Sequence, residues 1–268
     1  MLRGTAIHFI KEKDLSMKKK HYSGLLLSTL FLPVLATAAD QSGSWYVGAR
    51  AGAASTAETG QNYTNPRVQG IVSSNDSSQA KFASILVGRT FDASPLSVEL
   101  EYQRQGTSDF QRNTVGICPA SVCGSPLAFN GFNSVRVKSQ ALFVNLGYRI
   151  PLGSPAASVT LNGGVGMSRN TTSGNQIFTL PATPNAGLLQ GERFRANSEN
   201  SLAWNLGASF NYMLSKSTTL DVGYRYVNFG KFNMLSDGTL TPAFRNSESF
   251  GGTLVAHQFF TGLRYRFE

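Results

Sequence analysis

Between Trp45 and Phe267 the chain repeats one pattern. Hydrophobic and polar side chains alternate with period two over segments of about ten residues, then give way to stretches of Pro, Gly, Ser and Asn. The clearest segment is 96–103, where Leu96, Val98, Leu100 and Tyr102 share one face and Ser97, Glu99, Glu101 and Gln103 share the other. A strand produces that partition and a helix cannot. Similar runs at 45–54, 81–91, 135–150, 158–167, 202–214, 219–227 and 254–267 bring the expected number of strands to eight. Three connections, 92–95, 151–157 and 215–218, are short and rich in Pro, Gly and Ser. Four others, 55–80, 104–134, 168–201 and 228–253, are long and polar and are expected to be loops. The expected fold is all-β: an eight-stranded antiparallel up-and-down transmembrane β-barrel, with short periplasmic turns at one end and four long extracellular loops at the other.

The residue types on the two faces decide which one looks outward. One face collects Trp45, Val47, Leu142, Leu146, Leu161, Leu206, Val222 and Phe259. The other collects Arg50, Glu99, Glu101, Asn145, Asn205, Asp221, Arg225, Arg264 and Arg266, together with Gly52, Gly147, Gly166, Gly207, Gly223 and Gly262. The interior of an eight-strand barrel is just wide enough for side chains, so long charged groups there require small neighbours. On an outer strand surface the same glycines would only weaken the strand. The ionic and glycine-rich face is therefore expected inside. Buried charges must be paired, so Glu99, Glu101 and Asp221 are expected to form ion pairs with Arg50, Arg225, Arg264 and Arg266. In the second strand Ile85 and Val87 are expected outward, with Leu86 on the opposite parity, and its register stays open.

Composition narrows the class. Only 15% of the 268 residues are charged, below the roughly 25% usual for a soluble domain. Beyond position 40 no run of about 18 apolar residues occurs, which excludes a helical membrane protein. Residues 17–39 read as a secretory signal: Lys18, Lys19 and Lys20, an apolar stretch from Leu25 to Leu35, then Ala36, Ala38 and Ala39. This divides the chain into a signal segment, 1–39, whose true start is expected at Met17, and a barrel domain, 40–268. Without the first 39 residues there remain 18 basic against 13 acidic side chains, +5, too weak a balance to argue for nucleic acid.

Candidate chemistry is sparse. Cys118 and Cys123 lie in the second long loop, and in an oxidising compartment a disulfide is expected rather than two free thiols. Closing so small a ring stabilises by about 2 kcal/mol. His257 is the one histidine left after the signal segment. A zinc site would need further ligands beside the two cysteines, and a histidine acid or base would need a positioned partner. His257 is read as interfacial filler, so neither a cofactor nor a catalytic residue is expected. A secreted lipocalin-like carrier would turn the same alternation inside out, which the inward glycines argue against. The charged lining would leave at most a narrow channel. Arg67, Arg104, Arg112, Arg193, Arg195 and Arg245 are spread among the presumed loops, a composition suited to acidic polysaccharide, lipopolysaccharide or host matrix.

The last segment, Val255-Ala-His-Gln-Phe-Phe-Thr-Gly-Leu-Arg-Tyr-Arg-Phe267, resembles the closing strand of bacterial outer-membrane proteins. With Trp45-Tyr-Val-Gly-Ala-Arg-Ala-Gly52 and Leu220-Asp-Val-Gly-Tyr-Arg-Tyr226, it makes the chain similar to the opacity-type surface antigens, relatives of the small OmpA-like barrels. The resemblance implies a Gram-negative outer membrane as the location. It also implies an assembly signal in Leu263, Tyr265 and Phe267, read by the barrel-assembly machinery. The expected function is that of a surface protein displaying loops for adhesion or envelope interaction. Its expected partners are outer-membrane lipid and lipopolysaccharide, and host or environmental glycans or proteins. A narrow porin-like channel is the alternative, and a lipid-modifying enzyme is a weaker one.

Overall fold

The computed structural model describes residues 43–64, 68–75, 77–92, 94–118, 127–179, 188–189, 193–236 and 249–267. Ten strand segments follow in order: β1 (Trp45–Thr64), β2 (Val68–Asn75), β3 (Ser77–Thr90), β4 (Leu96–Cys118), β5 (Leu127–Pro151), β6 (Ala157–Thr179), β7 (Leu188–Leu189), β8 (Arg193–Met213), β9 (Thr218–Ser236) and β10 (Ser249–Arg266). Eight of them close a ring in the order β4, β3, β1, β10, β9, β8, β6, β5 and back to β4, every pairing antiparallel. β2 extends β3 along β4, and β7 adds two residues beside β6. Closure removes every free edge from the ring, and where β8–β9 pairing lapses between Arg195 and Trp204 the side chains of Asn170, Thr172 and Ser201 donate to the carbonyls of Lys231 and Asn233. The expected signal segment, 1–39, and Cys123 lie outside the described residues, as do the tips of the hairpins.

One end of the ring is closed by tight turns. Leu152 N–H donates to Ala157 O at 3.1 Å across the β5–β6 turn, where Gly153 supplies a left-handed φ of 72°. At the β8–β9 turn Leu214 N–H donates to Thr218 O at 2.9 Å, and the Ser215 hydroxyl accepts from Thr218 N–H at 3.0 Å. Phe267 N–H donates to Trp45 O at 2.9 Å, so the last strand docks on the first at this same end.

The strands are far longer than the alternation suggests. β4, β5 and β6 run 23, 25 and 23 residues, whereas about 9–11 cross a bilayer. Segments expected as loops are therefore mostly strand: 55–64 belongs to β1, 104–118 to β4, 168–179 to β6 and 228–236 to β9. Bulges in β4 and β9 explain why two of them read as irregular. In β4 the register slips between Gln105 and Ser108, and in β9 Gly230, at φ 74°, makes room for Phe229 to be skipped in the pairing with β10. Each bulge inserts one residue and switches the inward parity from odd to even numbers. Inward positions pass from Gln103 and Gln105 to Ser108 and Phe110 in β4, and from Val227 and Phe229 to Phe232 and Met234 in β9. In β3 the open register resolves with Ile85 and Val87 outward and Leu86 buried.

Candidate functional site

Near the turn end, the outward face is a predominantly apolar belt. One row reads Ile85, Tyr102, Leu142, Met167 and Leu202 across β3, β4, β5, β6 and β8, and the next reads Val87, Leu100, Val144, Val165 and Trp204. All but Val144, which is half-buried, are exposed. Inside this belt the charges meet. Arg50 on β1 donates from Nη2 to Glu99 at 3.0 Å and from Nη1 to Glu101 Oε2 at 3.2 Å, and stands 3.6 Å from Asp221 on β9. Arg264 on β10 holds both oxygens of Asp221 at 2.6 Å. Arg225 on β9 reaches Glu101 at 2.8 Å and Gln103 at 2.6 Å on β4, four strands away in a ring of eight, so this link spans the full diameter.

Neutral groups complete the cross-links. Glu101 also accepts from Asn145 on β5 at 3.0 Å, and Asn145 in turn accepts from Asn205 on β8 at 2.8 Å. The Tyr46 hydroxyl donates to Glu99 at 2.9 Å, and Gln258 bridges from Arg225 to Gln105. Tyr46 and the glutamines share the inward parity of the charges, which was the signal for them in the sequence. The guanidinium of Arg225 lies 5.4 Å from the Phe82 ring and 5.6 Å from that of Phe260, where cation–π attraction adds to the ion pairs. The glycines leave the space required. A Cβ on Gly262 would fall 2.7 Å from Arg50 Cγ, one on Gly207 2.5 Å from Arg225 Cβ, and one on Gly164 1.9 Å from Asn145 Oδ1.

Of the expected ion-pair set, the structure brings together Arg50, Glu99, Glu101, Asp221, Arg225 and Arg264. Arg266 is a correction. It is exposed at the turn end and donates to the backbone oxygen of Lys216 at 2.8 Å. The barrel wall stops short of its side chain, which lines a vestibule of about 670 Å3 with Arg149, Lys216, Tyr46 and Arg264 instead of joining the ion-pair network. Leu263, Tyr265 and Phe267 are exposed at the belt. His257, also outward, shares a 2.6 Å hydrogen bond between its Nδ1 and Tyr224 Oη and meets the Tyr226 ring edge-on. Cys118 ends β4, while its expected partner lies outside the described residues.

Beyond the belt both faces change character. Part of the interior becomes an aromatic and aliphatic core of Phe110, Val135, Val137, Phe229, Phe232, Met234, Phe250 and Leu254, each at most 1% exposed, beside the buried polar groups of Thr56, Asn133, Asn170, Thr172 and Gln176. Arg112 forms an ion pair with Glu58 inside it and lies 4.3 Å from the Phe250 ring. The outward face turns polar, with Arg104, Gln111, Arg136, Lys138, Arg169 and Lys231.

Residues 24–267 match the family described as "Outer membrane protein beta-barrel domain". The chain belongs to this family. It fits the small OmpA-like and opacity-type outer-membrane barrels, and the family places the protein in the outer membrane. In barrels of this class the short turns lie at the periplasmic end and the long hairpins at the external one. No curated protein sequence gives a significant match. Among solved structures the chain is similar to neisserial surface protein A (16% identity, 85% of this chain and 100% of that one, TM-score 0.43). It is also similar to OprG of Pseudomonas aeruginosa (16%, 85% and 97%, 0.43) and to the outer-membrane protease OmpT of Escherichia coli (10%, 84% and 97%, 0.46). At these identities the functions in those names stay with those proteins.

Proposed function

We propose that the tall end is the working part of the protein and serves adhesion or interaction with the cell envelope, with no catalysis. The supporting observation is the height and filling of the barrel. Strands of 18 to 25 residues continue past the belt around a hydrophobic core that runs on from the belt interior, which makes a rigid stalk with a polar outer surface rather than slack loops. Such a stalk carries contact residues clear of the lipid and preorganises them, which lowers the entropic cost of binding. The signal segment 1–39 serves export in this reading. Leu263, Tyr265 and Phe267 serve recognition by the barrel-assembly machinery.

Shortening the β4–β5 hairpin tests the proposal. Arg112 and Asn133 are cross-strand partners, so residues 113–132 can be replaced by an Asn-Gly turn. The shortened barrel should keep its heat-modifiable gel mobility while binding to cells or glycan arrays is lost. Retained binding by the folded variant would overturn the proposal. A narrow channel is the second reading, favoured by the vestibule at the periplasmic mouth. The Arg225–Glu101 cross-link lies in its path, so conductance in planar bilayers should be small in the native protein and rise in Glu101→Gln. Silence in both would remove that reading.

A further inference from the structure

The cations of the polar outer surface are not evenly spread. Directly above the belt, one cross-strand row reads Arg104 on β4, Gln140 on β5 and Arg169 on β6. Lys138 occupies the next outward position of β5, opposite Thr171 of β6, and Lys81 of β3 lies beside Gly106 of β4. Arg136 stands one step further, opposite Asp109. On the outward face of β3–β6 beyond the belt, Asp109 is the single acid among the described residues, and Arg136 already holds it at 3.0 Å. Lys81, Arg104, Lys138 and Arg169 are all exposed. On the opposite side, β8, β10 and β1 present Asn200, Ser198, Thr253, Ser55 and Thr59 at the heights of Arg104 and Lys138, β9 contributes Lys231, and β8 carries Arg195 level with Arg136.

We infer that this side of the barrel binds the phosphate groups of a phosphorylated glycolipid, the lipopolysaccharide of the outer leaflet. The inference rests on the tall end facing outward, as in the function proposed above. Three features support it. The layout is amphipathic in the sense the ligand needs: Ile85, Tyr102, Leu142 and Met167 sit one row below the cations, where acyl chains would lie. Neighbouring strands are about 4.8 Å apart, so Arg104 and Arg169 stand about 10 Å apart, a span suited to a two-phosphate headgroup. Between them Gln140 accepts at Oε1 from the Tyr102 hydroxyl at 3.2 Å, which leaves its amide nitrogen, a donor, as the remaining terminal atom. The row thus presents donors only. Four like charges gathered on one sheet face repel one another, and anionic groups supplied by the leaflet offset that repulsion.

Native mass spectrometry of the full-length barrel in detergent, titrated with diphosphoryl lipid A, tests the assignment. Each cation near an anionic lipid surface contributes about 1 kcal/mol, so the triple variant Arg104→Gln, Lys138→Gln, Arg169→Gln should bind lipid A about 100-fold more weakly. Lys231→Gln, on the other side, should bind like the native protein, and heat-modifiable mobility reports that each variant is folded. If the triple variant fails to fold, Arg169→Gln alone should still weaken binding measurably. Unchanged lipid A binding in the variants would overturn the inference, as would equal binding of the dephosphorylated lipid. Inorganic phosphate bound as tightly as lipid A would overturn it too, since the belt would then contribute nothing. Glycan or cell binding at the hairpin tips should survive in the triple variant, which separates this failure from failure of the adhesion reading.

Discussion

The two halves of this barrel solve opposite solvation problems with the same backbone. In the periplasmic half lipid surrounds the ring, so Leu100, Leu146 and Val222 point out and the polar groups are forced inward, where Arg50, Arg225 and Arg264 must find Glu99, Glu101 and Asp221. In the external half water surrounds the ring, so Arg136, Lys138 and Thr171 point out and Phe110, Val137 and Phe229 fill the interior. β5 shows the exchange within one uninterrupted strand: Leu142 and Leu146 outside with Asn145 inside, then Arg136 and Lys138 outside with Val135 and Val137 inside. Strand alternation therefore reports two faces, and only the solvent on each side determines which one is greasy.

The comparison can be broken most severely in the ionic half. Glu101→Gln leaves Arg50 and Arg225 short of a shared carboxylate, and urea unfolding in lipid vesicles should show a loss of about 3–5 kcal/mol. A neutral result would mean that the neighbouring glutamines and asparagines alone hold the lumen. In the external half Leu254→Ala opens a cavity in the aromatic core and should cost about 2–5 kcal/mol. This loss should appear first as faster hydrogen exchange in the β9–β10 hairpin, with heat-modifiable mobility intact. Simultaneous loss of protection in both halves would make them one cooperative unit.

An arginine placed outward sharpens the contrast. Leu146→Arg, in the middle of the belt, should destabilise by about 2–4 kcal/mol. Ser173→Arg, on the outward face of β6 beyond the belt, should stay within about 0.5 kcal/mol, and a large cost there would move the lipid boundary upward. Asp109→Asn should also have a small effect. Its ion pair with Arg136 is exposed, so the same unfolding experiment should register less than about 1 kcal/mol.

Legibility in the sequence followed the same division. The belt was readable because its outward residues are predominantly apolar and its inward ones charged or glycine, which left the ion-pair set visible as a parity class. Arg266 carries the same parity and fell outside the network because the wall ends beside it. The external half was not readable. A strand with Phe110 inside and Gln111 outside is as amphipathic as any in the belt, but the bulges at Gln105–Ser108 and at Gly230 break the phase just where the polarity inverts. Polar residues on the water side then look like loop composition.

Alternation and glycine placement, both properties of consecutive residues, were enough to specify a closed strand ring with a charged lining. Which arginine meets which carboxylate was a matter of closure, because Arg225 and Glu101 lie 124 positions apart and become neighbours only across a complete ring. Closure likewise raised the hairpins into a filled stalk and gathered Lys81, Arg104, Lys138 and Arg169 onto one side. Proximity around a cylinder depends on strand order and register, and no local stretch of chain encodes either.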